Sequence, residues 1–184
     1  LGKKTNDGSY LEATYYYTLL QDAIIKAPFI LNGQDSLLYD GEWLPLYANT
    51  NSKEAYIYGY SIQGFWQINT QWSTKHSCSY TFGRDRTTDL PLDHIPPFYG
   101  KSQLDWQSIN STFKAGFYVC YNAWKPIEDY SPNGSDNPEE ATEDGNPSWW
   151  TLNMNYSLPI NDKLSAQLNI ENLLDAHYKT YSSG

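Results

Sequence analysis

Apolar and polar side chains alternate along this chain in seven segments of roughly ten residues. The connections between those segments alternate long and short. From 55 to 68 the even positions read Tyr56, Tyr58, Tyr60, Ile62, Gly64, Trp66 and Ile68. The odd positions read Ala55, Ile57, Gly59, Ser61, Gln63, Phe65 and Gln67. From 72 to 82 the even set is Trp72, Thr74, His76, Cys78, Tyr80 and Phe82, and the odd set is polar. A period of two places each set on its own face of a sheet.

The segments are 10–22, 55–68, 72–84, 97–107, 113–124, 149–158 and 164–173. Short turns rich in Asn, Ser, Asp and Pro join the second to the third, the fourth to the fifth and the sixth to the seventh. The other connections, about 23–54, 85–96 and 125–148, are long. Asp40-Gly41 lies between apolar stretches in the first of these and predicts a small hairpin. The stretch 129–147, rich in Ser, Pro, Asn, Gly and acids, predicts a mobile loop. No solenoid or propeller repeat is present. The expected fold is all-β: an antiparallel up-and-down meander forming part of a transmembrane β-barrel, with long loops outside and short turns in the periplasm.

Composition agrees. Tyr is present 17 times and Trp 7 times in 184 residues, which suits β structure and water–apolar interfaces. The mean hydropathy of -0.65 does not exclude a barrel, since only alternate strand residues meet lipid. The apolar runs fall far short of the roughly 20 residues of a membrane helix. The net charge of -9, with no basic patch, excludes nucleic acid as a partner. Much of the acidity lies in 128–144, which reads as a solvated loop, with capture of calcium or a cationic ligand as the alternative.

Charges test the face assignment. Glu12, Lys75, Arg84, Lys101, Asp105, Lys114 and Glu171 are assigned to the polar parity, leaving the apolar parity free of Asp, Glu, Lys and Arg. A Lys or Arg facing lipid near the midplane costs about 2–4 kcal/mol. His76 alone ionises on the apolar face, so it is expected neutral or near the interface. That face also carries aromatic belts. Trp66, Trp72, Trp106, Phe113 and Tyr156 lie toward the short turns, and Tyr17, Tyr56, Phe82, Phe98, Tyr121 and Trp150 toward the long loops. Tyr56 to Trp66 spans ten steps, about 25 Å of height at roughly 3.3 Å per residue and about 40° tilt. Cys78 and Cys120 fall on opposite faces of non-adjacent strands and are expected to be free thiols. A soluble β-sandwich would show the same alternation, though its core would favour Val, Ile and Leu.

Three stretches carry a resemblance: Ala55-Tyr56-Ile57-Tyr58-Gly59, Ile95-Pro96-Pro97-Phe98-Tyr99-Gly100, and Asn169-Ile170-Glu171-Asn172-Leu173-Leu174-Asp175-Ala176-His177-Tyr178. In this order the chain, from about Tyr10 onward, resembles the C-terminal part of TonB-dependent outer-membrane receptors. The resemblance implies a barrel of 22 strands whose plug domain fills the lumen. Two departures stand out: Ser61 and Gln63 replace an acid common in the family, and no terminal aromatic strand follows Ser183-Gly184. The chain opens Leu1-Gly2-Lys3-Lys4 without a signal peptide, so a removed leader or a piece of something longer is expected. Residues 1–184 then read as a C-terminal barrel portion lacking the plug and the final strand.

The resemblance implies a bacterial outer-membrane receptor for TonB-energised uptake of a scarce ligand, an iron-siderophore or haem before cobalamin. Its partners would be outer-membrane lipid, that small molecule, and TonB through the missing plug. No cofactor or metal site is implied, and the scattered His76, His94 and His177 build no catalytic constellation. The alternatives are a soluble carbohydrate-binding sandwich and an outer-membrane hydrolase. Ligand-contact candidates are Trp43, Tyr47 and Tyr130 for stacking and Arg86 for an anionic carrier. His94 and His177 are the candidates for haem, with a structural role open for His177.

Overall fold

Each alternating segment hydrogen-bonds to its neighbours in the computed structural model, which describes residues 2–5, 8–109, 113–133, 135–161 and 163–181. The strands are β1 (Gly2–Lys4), β2 (Tyr10–Pro28), β3 (Ser36–Tyr39), β4 (Glu42–Pro45), β5 (Tyr47–Gln67), β6 (Trp72–Asp85), β7 (Tyr99–Gln107), β8 (Lys114–Asn122), β9 (Lys125–Pro126), β10 (Gly145–Asn146), β11 (Trp149–Asn161) and β12 (Leu164–Ile170). Eight of them form one antiparallel sheet in the order β1-β2-β5-β6-β7-β8-β11-β12. The pairs β3–β4 and β9–β10 are small hairpins within the long loops. The meander is therefore the expected one.

Strand ends differ from the sequence reading where the membrane pattern stops. The β2–β5 ladder continues from Gln21↔Glu54 to Pro28↔Tyr47. Most of the presumed loop 23–54 is thus paired strand standing above the belts. Its alternation is lost because polar residues stand on both faces, Gln21, Glu54 and Thr50 on one and Lys26, Asn49 and Asn51 on the other. At its tip Asp40 (φ 50) and Gly41 (φ 88) make the expected two-residue turn of β3–β4. Residues 97 and 98 precede β7, and β12 stops at Ile170, where the chain leaves the sheet. Part of the 108–112 turn, residues 110–112, lies outside the described residues.

The sheet is a single layer. Ala55 and Tyr130 are the buried hydrophobic side chains among the described residues. Tyr15, Tyr17, Trp150 and Leu168 remain 68%, 58%, 53% and 52% exposed. No second sheet covers this face among the described residues. A sandwich would seal these residues between two sheets, so that reading is overturned.

The register gives the strand tilt. One row across the apolar face reads Ile62, Cys78, Gly100, Tyr121 and Trp150. The upper belt includes Tyr17 on β2, level with Tyr58; from Tyr56 on β5, six residues above this row, it descends to Trp150 on β11 within the row. That is about 20 Å along the strands against four spacings of about 4.8 Å, an angle of about 45°. The lower belt descends four residues from Trp66 to the row position of Phe113 across three spacings, or about 42°, and Tyr156 on β11 stands two residues higher than Phe113. A horizontal membrane requires belts to cut the ladder at the strand tilt, and barrels tilt by about 35–45°. Phe113 completes the lower belt by packing edge-on at 5.5 Å from Trp106 and 4.6 Å from Tyr156.

The charge assignment needs one correction. Arg84 pairs across from Tyr56 and shares a face with Phe82, so it lies on the apolar parity. It escapes lipid by height. It lies two residues beyond Phe82, where its guanidinium binds Asp129 at 2.9 Å and the Asp89 carbonyl at 2.7 Å. Glu171 lies just past the end of β12, outside the strand interior. His76 stays on the apolar face with both ring nitrogens engaged. The Thr74 hydroxyl donates to the Gln103 carbonyl, so it accepts from Nε2–H at 2.8 Å, while Nδ1 faces the Ser102 hydroxyl at 3.0 Å. Cys78 and Cys120 are free and on opposite faces, as expected.

Candidate functional site

The polar face is a wall of side-chain rows. From the long-loop end downward they read Ser79–Tyr99–Asn122–Trp149, Ser77–Lys101–Cys120–Thr151, Lys75–Gln103–Tyr118–Asn153 and Ser73–Asp105–Gly116–Asn155. Below them stand Gln107, Lys114 and Ser157. Cross-strand bonds hold the wall. Lys75 binds Asp105 at 3.1 Å, Gln103 donates to the same carboxylate at 2.6 Å, and Gln63 donates to Glu12 at 2.9 Å. The Tyr16 and Thr81 hydroxyls meet at 2.6 Å. Tyr16 lies over Gly59, where a Cβ would stand 2.5 Å from its hydroxyl oxygen and 2.3 Å from the Tyr80 carbonyl. Only glycine allows that approach.

Lys101 is different. It makes no ion pair among the described residues, and its ammonium lies 3.8 Å over the Tyr118 ring. Three lysines and Asp105 stand on this wall, with Glu171 near Tyr118 just past the end of β12, within a chain of formal charge -9. The acidity of the chain lies in its loops instead.

Above the wall, three segments close into a crown: 86–98, 123–148 and 171–181. Asp136 is its centre and is fully buried. Its Oδ1 accepts the His94 N–H and its Oδ2 the Ser131 N–H, both at 2.8 Å. Tyr181 packs edge-on against Tyr130 at 5.3 Å. Burial, with the Asp136 charge beside it, pushes the Tyr181 phenol far above its usual range. Burial likewise raises the Tyr130 phenol. Lys125 is buried, donates to the Ile95 carbonyl at 2.6 Å and sits 4.8 Å over the Tyr181 ring. Burial lowers its pKa, against the pull of Asp129 and Asp136. Exposed Glu140 is lowered by its hydrogen bond and ion pair with Lys179.

The 129–147 segment is therefore not a wholly solvated loop. Glu128, Glu139, Glu140, Glu143 and Asp144 are exposed, but Tyr130, Ser131, Asn133 and Asp136 are buried. Asn172 delivers the last segment to the crown. At φ 52 it turns the chain out of β12, donates its backbone N–H to Asn153 Oδ1 at 2.8 Å, and bridges Ala176 with both side-chain atoms.

The six candidate residues divide. Tyr130 and His94 meet around Asp136, and Tyr47 reaches the crown by donating to the Pro132 carbonyl at 3.1 Å. Burial takes Tyr130 out of ligand contact, while the His94 side chain stays 66% exposed. Arg86 binds Glu54 at 2.7 Å on the sheet rim. Trp43 stands 63% exposed at the hairpin tip, away from the others. His177 is exposed and lines a cavity of about 220 Å³ beside the Trp149–Tyr178 stack. Sequence reasoning missed Asp136, Tyr181 and Lys125. Asp136 looks like any acid of its run, and only the folded loops show which one is covered.

The family described as TonB dependent receptor-like, beta-barrel matches residues 1–173. Among solved structures, the copper transporter OprC superposes with a TM-score of 0.77 at 19% identity, over 97% of this chain and 25% of that one. At this identity the likeness shows the fold. The chain spans a quarter of the length of OprC.

Proposed function

The chain belongs to the TonB-dependent receptor β-barrel family, proteins of the bacterial outer membrane, and we propose that it forms one arc of a receptor that takes up an iron chelate, a siderophore or haem, with energy from TonB. The observation that carries this is the two-faced sheet. Its outer face bears belts cut at the strand tilt, and its inner face is a polar wall capped by a packed crown. Such an arc stands in lipid on one side and lines a passage on the other. The sheet ends in the open edges of β1 and β12, which a closed barrel would pair with further strands.

Apart from the lone Cys120 thiol, the inner groups are hydroxyls, amides, carboxylates, ammonium groups and aromatic rings. These suit the periphery of an organic chelate better than direct ligation of a soft metal such as copper, the cargo in OprC's name. The passage changes the position of its ligand and not its bonds, so this is a transporter and not an enzyme. Growth on chelated iron tests it in cells carrying the full-length receptor. Loss of either the receptor or TonB should abolish uptake. Uptake that persists without TonB, or a receptor needed for copper and not for iron, would overturn the proposal.

A further inference from the structure

The lipid-facing side of β2, β5 and β6 carries phenols well below the upper belt. Tyr15, Tyr60 and Tyr80 form one cross-strand row, and Tyr58 stands above Tyr60 on its strand. The Tyr60 and Tyr80 rings lie 5.7 Å apart. Tyr60 is six residues from Trp66 in the lower belt and four from Tyr56 in the upper. That is about 15 Å up an apolar band of about 25 Å. The slope of the belts sets Tyr15 about 3 Å lower still, at the middle of the bilayer. Tyrosine belongs at the membrane surface, where its hydroxyl meets water. Here neither the Tyr15 nor the Tyr60 hydroxyl has a hydrogen-bond partner among the described residues. Tyr60 has a paired strand on each side and is still 37% exposed, so an unpaired edge does not account for it.

The rest of the outer face treats this depth differently. His76 has both ring nitrogens engaged, by the Thr74 and Ser102 hydroxyls. Between the belts, β7, β8 and β11 present the apolar row Leu104–Phe117–Met154. Acyl chains offer a phenol no hydrogen bond, and an unmet polar group in hydrocarbon is costly. A phenol both donates and accepts, so a patch of phenols is complementary to itself. We infer that this strip docks a second copy of the receptor in a two-fold contact, with the Tyr15 and Tyr60 hydroxyls of one copy bonded to those of the other. The inference concerns the outer face of the barrel and does not depend on what the lumen carries.

Shape and size fit this occupant. Two barrels are convex, so they touch along a tall and narrow strip. Three strands are about 14 Å across, and the lipid-facing positions from Tyr56 to Gly64 rise about 30 Å along the strand. A pair would bury roughly 900 Å² in all, the area of a transient complex and not of a permanent one. Tyrosine suits such a contact, because its large ring packs while its hydroxyl finds a partner.

The test uses the full-length receptor with its native thiols removed by Cys78→Ala and Cys120→Ser. In isolated outer membranes under mild oxidation, Tyr60→Cys should give a disulfide-linked dimer. Leu152→Cys, on the far side of the arc, should not. Energy transfer between labelled receptors, diluted into phospholipid vesicles, then reads the affinity. The double variant Tyr15→Phe, Tyr60→Phe keeps both rings and removes both hydroxyls. It should weaken self-association about tenfold, since several hydrogen bonds worth about 0.6 kcal/mol each in a membrane are lost. Unaltered guanidinium unfolding should show that every variant folds. No dimer in Tyr60→Cys, equal dimer in Leu152→Cys, or native affinity in the double Phe variant would overturn the inference. So would a link from Tyr60→Cys to a protein of another mass, or native mass spectrometry of a monomer that loses a bound lipid in the double Phe variant.

Discussion

The buried carboxylate of Asp136 accepts the backbone N–H of His94 at 2.8 Å, across 42 positions of sequence. Its other oxygen accepts the Ser131 N–H. One side chain therefore satisfies donors from two loops and locks 86–98 onto 123–148. Asp136→Ala would leave both N–H groups without an acceptor. An unsatisfied buried donor costs about 1–3 kcal/mol, so the variant should lose about 2–4 kcal/mol of local stability. Asp136→Asn should lose less, since its amide oxygen can keep one bond. Protease nicking of the crown in the intact receptor measures this. Nicking at the native rate in Asp136→Ala would remove Asp136 from the centre of the crown.

The crown should loosen in alkali. Tyr181 and Tyr130 have phenols raised by burial, so the folded crown holds their protons where the unfolded loops release them near pH 10.0. Their contribution is complete below pH 10.0 and falls as pH rises above it, because the unfolded state then binds fewer protons. Lys125 runs the other way. Its lowered pKa lets stability rise with pH up to its ordinary 10.5, which partly masks the fall. Tyrosinate absorbance followed by stopped-flow should show a slow class of phenols opening with the crown. Tyr181→Phe should remove one of them. If all phenols titrate at once near pH 10.0, the packing around Tyr181 is wrong.

The membrane-facing assignment makes a positional prediction. Phe117 stands midway between the belt residues Tyr121 and Phe113 on its strand, on the apolar face. Gln103 lies on the opposite face of the neighbouring strand. Phe117→Arg should destabilise the receptor in phospholipid vesicles by about 2–4 kcal/mol, and Gln103→Arg by less than 1 kcal/mol or so. Guanidinium unfolding in vesicles reads both. Equal costs would mean that lipid does not cover the Phe117 face.

What could be read from the chain ahead of its structure follows where lipid had left a pattern. Tyr56 to Trp66 and Trp72 to Phe82 alternate because alternate residues meet lipid, so strands, faces, belts and the free Cys78 and Cys120 were all legible. Above the belts that constraint ends. The paired strand from Ala23 to Pro28 reads as loop because water meets both its faces. Arg84 departs from the expected face because height counts as well as parity, and two residues beyond Phe82 suffice to move a guanidinium into water. The crown was least legible. Burial of Asp136 depends on His94 and Tyr181 arriving from two other segments, and no local spacing encodes that meeting. Tyr130 has the ring expected to stack on a ligand, yet that ring is spent inside the crown.

The turn at Asn172 explains why an asparagine stands at this place in the Asn-Leu-Leu-Asp run. Its φ of 52 lies in the left-handed region, and its side chain both donates to and accepts from Ala176, at 3.0 and 2.8 Å. Glycine would take the backbone angle without strain but make neither side-chain bond. Alanine would lose the bonds and add about 1–2 kcal/mol of left-handed strain. The order of stability should therefore be native, then Asn172→Gly, then Asn172→Ala, with the last about 2–4 kcal/mol below native. The backbone bond to Asn153 Oδ1 adds a further check, since Asn153→Ala should cost less in an Asn172→Ala background than alone. Hydrogen exchange at the Ala176 amide, with unfolding of the receptor as the global measure, gives the ranking. If Asn172→Gly and Asn172→Ala prove equally stable, the left-handed angle is not what this position selects for. If both match the native protein, the turn does not hold the last segment against the crown.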